Sequence, residues 1–384
     1  MYRALVLLLV LVILLTARTS AHDPITTKVT WSREISRIVE RRCAGCHRRD
    51  GVAPMPLTSY EQIRPWVKAV KEEVVSRRMP KWPAARGVGD FENDRSLSPF
   101  EVELIAAWVD GGAPKGDSKH LSKPSSDAKL PKAGMTLKLP ARHAAPAGER
   151  RTFEVATSAS REQWVTGWTF RTNDPAIVQA EFAVASGGYL GTWVPPEDVV
   201  LMPNDAGVRL PAAASITVTI WYRSEKAQLD FPVELPRRAP ELGLIVTSTR
   251  PSREARVIEA SCGETIARDA GEIFAIRPVN ARPRAPMGLA IRRAGGPPRL
   301  LAWLREFDPS YQATYRLRDA VAIEAGAQIE VASDDASCKA IVQYAVRRAD
   351  LSGPPVPAGP KRPGLRTDHS TATTNATVTT TPRR

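Results

Sequence analysis

Five consecutive residues, Cys43-Ala44-Gly45-Cys46-His47, carry the strongest chemical signal in the chain. Covalent attachment of a haem needs two thiols on neighbouring helical turns to add across its vinyl groups. It also needs a histidine directly after the second thiol, to reach the iron. Cys43 and Cys46 are therefore the expected attachment points, His47 is the expected proximal iron ligand, and one covalent haem c is the expected cofactor. The alternatives are a zinc site or a chance pair of cysteines. Tetrahedral zinc takes four donors, and neither a second Cys-x-x-Cys nor a histidine pair lies nearby to complete the set.

The sixth iron position needs a donor from elsewhere. Methionine there raises the reduction potential and suits electron transfer. Met79 lies in Arg77-Arg78-Met79-Pro80-Lys81-Trp82, a proline-stiffened loop able to aim a thioether at iron, and is the favoured distal ligand. Met55, in Ala53-Pro54-Met55-Pro56, follows His47 so closely that it is expected to pack beneath the haem edge. Water or an outside ligand stays open as a third choice. His22 and His120 sit too near flexible ends to be good ligands. The two remaining cysteines, Cys262 and Cys338, are expected to pair as a structural disulfide in an oxidising compartment, provided their Cα atoms approach.

These groups need elements to hold them. Ile35, Ile38 and Val39 fall at helical spacing and lead into the cysteine motif. A second helix is expected from Tyr60 to Arg78, with Ile63, Trp66, Val67, Val70 and Val74 on one face. A third has Ser98 as N-cap, Pro99 at its first position and Glu101 closing a capping box. Phe100, Leu104, Ile105 and Trp108 form its buried stripe, and Gly111 and Gly112 end it. Residues 25–112 thus read as a small helical domain and residues 113–133 as a linker. Beyond it, short β-branched runs such as Ile216 to Trp221, Leu244 to Thr249 and Ile329 to Val331 recur between turn residues, which predicts β-sandwiches. Trp164, Trp168, Trp193, Trp303, Met202 and Met287 are expected in their cores, and Asp334-Asp335 as a loop cap. The tail, residues 351–384, is rich in Pro, Thr and Arg and too poor in apolar residues to fold.

The chain has 384 residues, with 54 Lys and Arg against 41 Asp and Glu, a formal charge of +13. An acidic partner or an anionic surface suits that balance, but no compact basic run interleaved with aromatics points to nucleic acid. Arg3, the apolar run Ala4 to Leu15 and the small residues Thr19-Ser20-Ala21 read as a signal peptide over residues 1–21, which predicts export to the periplasm or beyond. Association with a membrane is expected only if that signal stays uncleaved.

From Cys43 to Asp117, through CAGCH, RRMPKW and NDRSLSPFEVELIAAWVDGGAPKGD, the chain resembles the cytochrome c module that precedes copper type II, ascorbate-dependent monooxygenase-like domains in secreted bacterial proteins. In that resemblance the axial methionine falls on Met79. The remainder more faintly resembles the scaffold of the peptidylglycine and dopamine hydroxylating enzymes, in Ile177-Val178-Gln179-Ala180, Leu210 through Tyr222, Phe274-Ala275-Ile276-Arg277-Pro278 and Tyr315-Arg316-Leu317. The resemblance implies a multidomain α plus β protein. An N-terminal all-α cytochrome c domain is followed by a tandem jelly-roll β-sandwich, with its halves at 134–235 and 236–350. The family's copper histidines are absent. Gln179 and Ala180 stand where the family has a histidine pair, Trp221 where it has a histidine before tyrosine, and Val279-Asn280-Ala281 where it has His-x-His; no histidine occurs between His143 and His369. Imidazole is the donor that suits Cu(II), so copper is not expected.

These features imply single-electron transfer with no catalytic residues. The β region then serves as a docking or structural platform, and Arg41, Arg42, Arg48, Arg49 and Lys81 steer an acidic redox partner to the haem edge. A redox enzyme with an open haem site or an unrecognised metal, and a haem-based envelope sensor, are the competing readings.

Overall fold

The computed structural model describes residues 28–49, 51–121, 131–140, 150–174, 176–203, 205–222, 239–279, 282–293 and 295–347. The predicted signal peptide and C-terminal tail lie outside these.

The N-terminal segment begins with a π-helical turn, Trp31–Ile35, that runs into α1 (Ser36–Arg42). Next come α2 (Tyr60–Ile63), a 3-10 turn over Arg64–Trp66 where Pro65 interrupts the α ladder, and α3 (Val67–Val75). The predicted capping box opens α4 (Pro99–Asp110): Ser98 Oγ accepts from Glu101 N at 3.0 Å, and Glu101 Oε2 accepts from Ser98 N at 2.8 Å. Ile35, Ile38, Val39, Ile63, Val67, Val74, Ile105 and Trp108 share one small core. Phe100 does not join it and is 66% exposed. Glu101 takes the inward position instead, where Arg42 Nε lies 3.4 Å away. The predicted linker packs back on these helices in its described part, since Trp31 N and Trp108 Nε1 both donate to Pro114 O at 3.0 Å.

The β region has strands β1 (Met135–Lys138), β2 (Arg150–Ala156), β3 (Gln163–Arg171), β4 (Ile177–Val184), β5 (Tyr189–Trp193), β6 (Val199–Leu201), β7 (Ala206–Leu210), β8 (Ser215–Tyr222) and β9 (Glu241–Thr247). It continues with β10 (Arg253–Ser261), β11 (Gly263–Ile266), β12 (Gly271–Val279), β13 (Met287–Arg292), β14 (Arg299–Leu304), β15 (Tyr315–Ile323), β16 (Gln328–Ser333) and β17 (Lys339–Arg347). One nine-stranded sheet runs β1-β9-β3-β7-β10-β17-β12-β15, with β6 on β3. Two four-stranded sheets, β2-β8-β4-β5 and β11-β16-β13-β14, accompany it. The first shares a core with β3, β7 and β9, built on Trp168, Phe170, Phe182 and Trp193. The second shares a core with β12, β15 and β17, built on Ile276, Met287, Tyr315 and Val342. The parallel pairing of β7 with β10, Arg253 opposite Ala206 and Glu254 opposite Gly207, makes one sheet of what would otherwise be two. Strand β9 follows the expected division at residue 235 but belongs to the first core.

The expected fold class is thus corrected. The molecule is mostly β-sheet, 41% strand against 15% helix, and an all-α N-terminal domain is not seen among the described residues. The physical reason lies in residues 82–91. Ala84 and Phe91 are buried in the second β core, Ala84 bridges Leu304 and Phe91 bridges Leu317. The helices contribute only nine of the dozen buried apolar residues in their cluster, Leu57, Leu97 and Ala113 coming from the connections, a small core for a segment of this length.

Candidate functional site

The cysteine motif is a continuation of α1. Cys43 N and Ala44 N donate to Val39 O at 2.9 and 2.8 Å, and His47 N donates to Cys43 O at 2.9 Å. His47 therefore follows Cys43 by one turn. The chain then doubles back, with Leu57 N donating to His47 O at 2.8 Å, and this brings the Met55 carbonyl oxygen within 3.0 Å of His47 Nδ1. A carbonyl only accepts, so Nδ1 carries the proton and the Nε2 lone pair is left for a metal. Burial lowers the imidazole pKa, which keeps the ring neutral despite that bond.

Cys43 and Cys46 are free thiols, both half-buried. Burial, then the neighbouring Cys46 and Glu101, push the Cys43 thiol up to about 12 against the pull of Arg42. Burial raises Cys46 as well, opposed by Arg95, Arg48 and Lys81. Both shifts favour the protonated thiol. Among the described residues no three His, Cys, Asp or Glu side chains converge as a metal site requires, the motif's own triplet included. Two thiols one turn apart and an imidazole that keeps its Nε2 lone pair are the donor types that a covalently attached haem takes.

Met79 comes four residues after α3 and belongs to none of the three cores; it is 37% exposed. Met55 packs against the helical core, and its carbonyl, not its sulfur, meets His47. His120 ends a short 3-10 turn, Ser118–His120; His22, His143 and His369 lie outside the described residues.

The β region covers the motif. A Cβ on Gly45 would lie 2.6 Å from Pro196 Cγ and 3.2 Å from Arg95 Nη1. Arg48 makes a two-pronged contact with Asp198 at 3.1 and 3.2 Å. Asn93 Nδ2 donates to Glu197 Oε1 at 3.0 Å and to Thr314 O at 2.8 Å, while Arg316 Nη1 reaches the same Glu197 oxygen at 2.6 Å. Burial, then Glu197, raises the hydroxyl pKa of Tyr311 against the pull of Arg95. Pro196, Glu197, Arg95 and Tyr311 carried no signal in the sequence, because each earns its place only through contacts with chain far away. Four of the five cations expected to steer a partner, all but Arg49, are engaged internally: Arg41 and Arg42 with Glu101, Arg48 with Asp198, Lys81 with Asp308.

Where the resemblance puts copper histidines, Gln179 is buried with an unpaired Nε2, Ala180 is in the first core, and Trp221 stands opposite Gln179 in the β4–β8 pairing. Asn280 and Ala281 lie outside the described residues. Beside them Arg277 Nη1 meets Glu181 Oε2 at 2.6 Å, an ion pair joining the two sandwiches. Cys262 and Cys338 form a disulfide with Cα atoms 5.2 Å apart. Asp335 accepts from Ser337 N at 2.9 Å and Arg282 N at 3.1 Å, as a loop cap does. Trp164, Trp168, Trp193, Met202 and Met287 are buried, but Trp303 is 39% exposed because β14 turns it away from the core that takes Leu301 and Leu304.

No protein-family profile and no curated protein matches the chain. Among solved structures, the chain is similar to A223, a turret protein of Sulfolobus turreted icosahedral virus, at 13% identity and a TM-score of 0.16, covering 52% of this chain and 99% of that one. A chain from the atomic structure of the same virus gives 11% identity and a TM-score of 0.12, covering 54% and 97%.

Proposed function

We propose that this chain is an exported electron-transfer protein bearing one covalently attached haem. The observation that carries the reading is the His47 Nδ1 to Met55 carbonyl bond, 3.0 Å, which fixes the tautomer that offers Nε2 to iron. When bound, the haem supplies a one-electron ferric–ferrous couple. Cys43 and Cys46 would tie it to the chain, and His47 and Met79 would be the residues that ligate its iron. The remaining residues around the motif shield it: Pro196 closes against Gly45, and Tyr311 and the Asn93–Glu197–Arg316 group occupy the adjoining seam.

Export rests on residues 1–21; among the described residues no helix is long and apolar enough to cross a membrane. The kinship with monooxygenase-linked haem modules belongs to the same proposal, as does the β region's role as a platform. No copper chemistry is included, given Gln179, Ala180, Trp221 and Val279. An acidic redox partner has to compete with Glu101, Asp198 and Asp308 for the cations they hold.

The test is the optical spectrum of the oxidised, haem-loaded protein, wild type against Met79→Ala. A weak sulfur-to-iron charge-transfer band that the substitution abolishes supports six-coordinate iron and electron carriage. High-spin iron that binds small ligands in the wild type favours the enzyme or sensor readings. Failure to bind haem covalently rejects all three.

A further inference from the structure

The loop carrying Met79 is anchored at both ends, and the anchors belong to different parts of the molecule. Upstream, Met79 N donates to Glu73 O at 3.2 Å, and Arg78 Nη2 binds Glu72 and Glu73 at 3.0 and 2.8 Å. Downstream, the chain passes at once into the second sandwich. Lys81 Nζ binds the Asp308 carboxylate at 2.9 Å and Ser310 Oγ at 3.3 Å. The Trp82 ring meets Tyr315 edge to face with centroids 4.9 Å apart. Arg305 N donates to Pro83 O at 3.2 Å and Ala85 N to Trp303 O at 2.7 Å, which stitches the loop to β14. Between these anchors Met79 has no core of its own. Its position is therefore set on one side by the end of α3 and on the other by the connection between β14 and β15.

The geometry points to that connection as a clamp on the sixth iron ligand: Asp308, through Lys81, and Tyr315, through Trp82, hold the loop where the Met79 thioether reaches iron. Asp308, Trp82 and Tyr315 are positioning residues that do not themselves touch the haem. This rests on the reading of Met79 as distal ligand. A loop held in its binding conformation loses little freedom on ligation, so the thioether outcompetes free ligands; a loosened loop spends less time in the competent position and yields to them. The clamp gives the β region a specific task, and any partner that shifts residues 305–314 acts on iron coordination at a distance.

The experiment is a titration of the full-length, haem-loaded ferric protein with imidazole, following displacement of the sulfur-to-iron band, in wild type, Asp308→Asn, Asp308→Glu and Trp82→Phe. Glu162→Gln, which breaks a surface pair with Arg209 in the first sandwich, is the control. Asp308→Asn is expected to tighten apparent imidazole binding about threefold, as the loss of an exposed ion pair allows. Trp82→Phe is expected to tighten it about fivefold through the weakened ring contact. Asp308→Glu restores the wild-type value and Glu162→Gln keeps it. Should Trp82→Phe fail to fold, Asp308→Asn decides alone, because its pair is exposed. Affinities within about twofold of wild type, the size of a negligible surface pair, overturn the clamp while leaving Met79 ligation standing. A wild type without the band overturns both.

Discussion

Gly45 and Pro196 meet so closely that a methyl group on the glycine would lie 2.6 Å from the proline Cγ. The centre of the cysteine motif and the turn before β6 are thus fitted together with no spare volume. Gly45→Ala is expected to destabilise the protein by about 1–3 kcal/mol, the usual range for overpacking. Urea unfolding checks it, and Pro196→Ala placed on the Gly45→Ala background is expected to recover part of the loss, as coupled neighbours do. Wild-type stability in Gly45→Ala would mean that the seam opens in solution.

A fragment ending at residue 121 is expected not to fold by itself, because Ala84 and Phe91 have their burial in the second β core. Circular dichroism on heating should show no cooperative transition for the fragment, while the full chain shows one. A sharp transition in the fragment would restore the independent helical domain that the structure argues against.

Glu197 is 5% exposed and takes hydrogen bonds from Asn93 and Arg316. Glu197→Leu leaves the Arg316 guanidinium with the exposed Glu92 as its remaining ion-pair partner. Removing one member of a buried pair costs about 3–5 kcal/mol. The double substitution Glu197→Leu with Arg316→Met is expected to recover most of it. Denaturant midpoints of the two variants measure the difference; equal losses would show that the ionic contact is not the cause.

Glu101 gives a pH dependence. Burial pushes its carboxyl up, but the Ser98 backbone bond and the Arg42 charge outweigh it, and the folded value lies below the usual carboxylate range. A depressed folded pKa means stability that is complete above the unfolded value, about 4.3, and is lost as pH falls through the folded value. Unfolding measured from neutral pH into the acid range should therefore decline less steeply for Glu101→Gln than for wild type. Parallel curves would show that Glu101 is neutral to folding.

Local chemistry was legible in the sequence. The Ser98–Glu101 capping box, the helical phase of Ile35, Ile38 and Val39, and the strand at Ile216 to Trp221 all follow from spacing, which records how a single element meets its core. Phe100 and Trp303 show the limit of that rule. Each is apolar, yet a neighbour holds the inward position: Glu101 beside the first, Leu304 beside the second. The segment around Phe91 reads as loop because its partner, Leu317, is far away in the chain. Pairing of β7 with β10, the Gly45–Pro196 contact and the anchoring of Lys81 on Asp308 leave no periodic trace either, and these contacts turned an expected string of domains into one joined body.

The ion pairs of Lys81, Asp90 and Glu92 with Asp308, Arg318 and Arg316 span sequence separations of 224 to 228. In a chain emerging from its N-terminus, none of them can form until residue 308 has appeared. The earliest residues made are thus among the last to settle, and closing so long a loop is slow. The Gly45–Pro196 contact likewise waits for residue 196, so the cysteine motif is made long before the chain that packs on it. Under the proposed function, this order of synthesis leaves Cys43 and Cys46 ahead of the residues that later pack around them, which is the interval in which a haem would have to be attached.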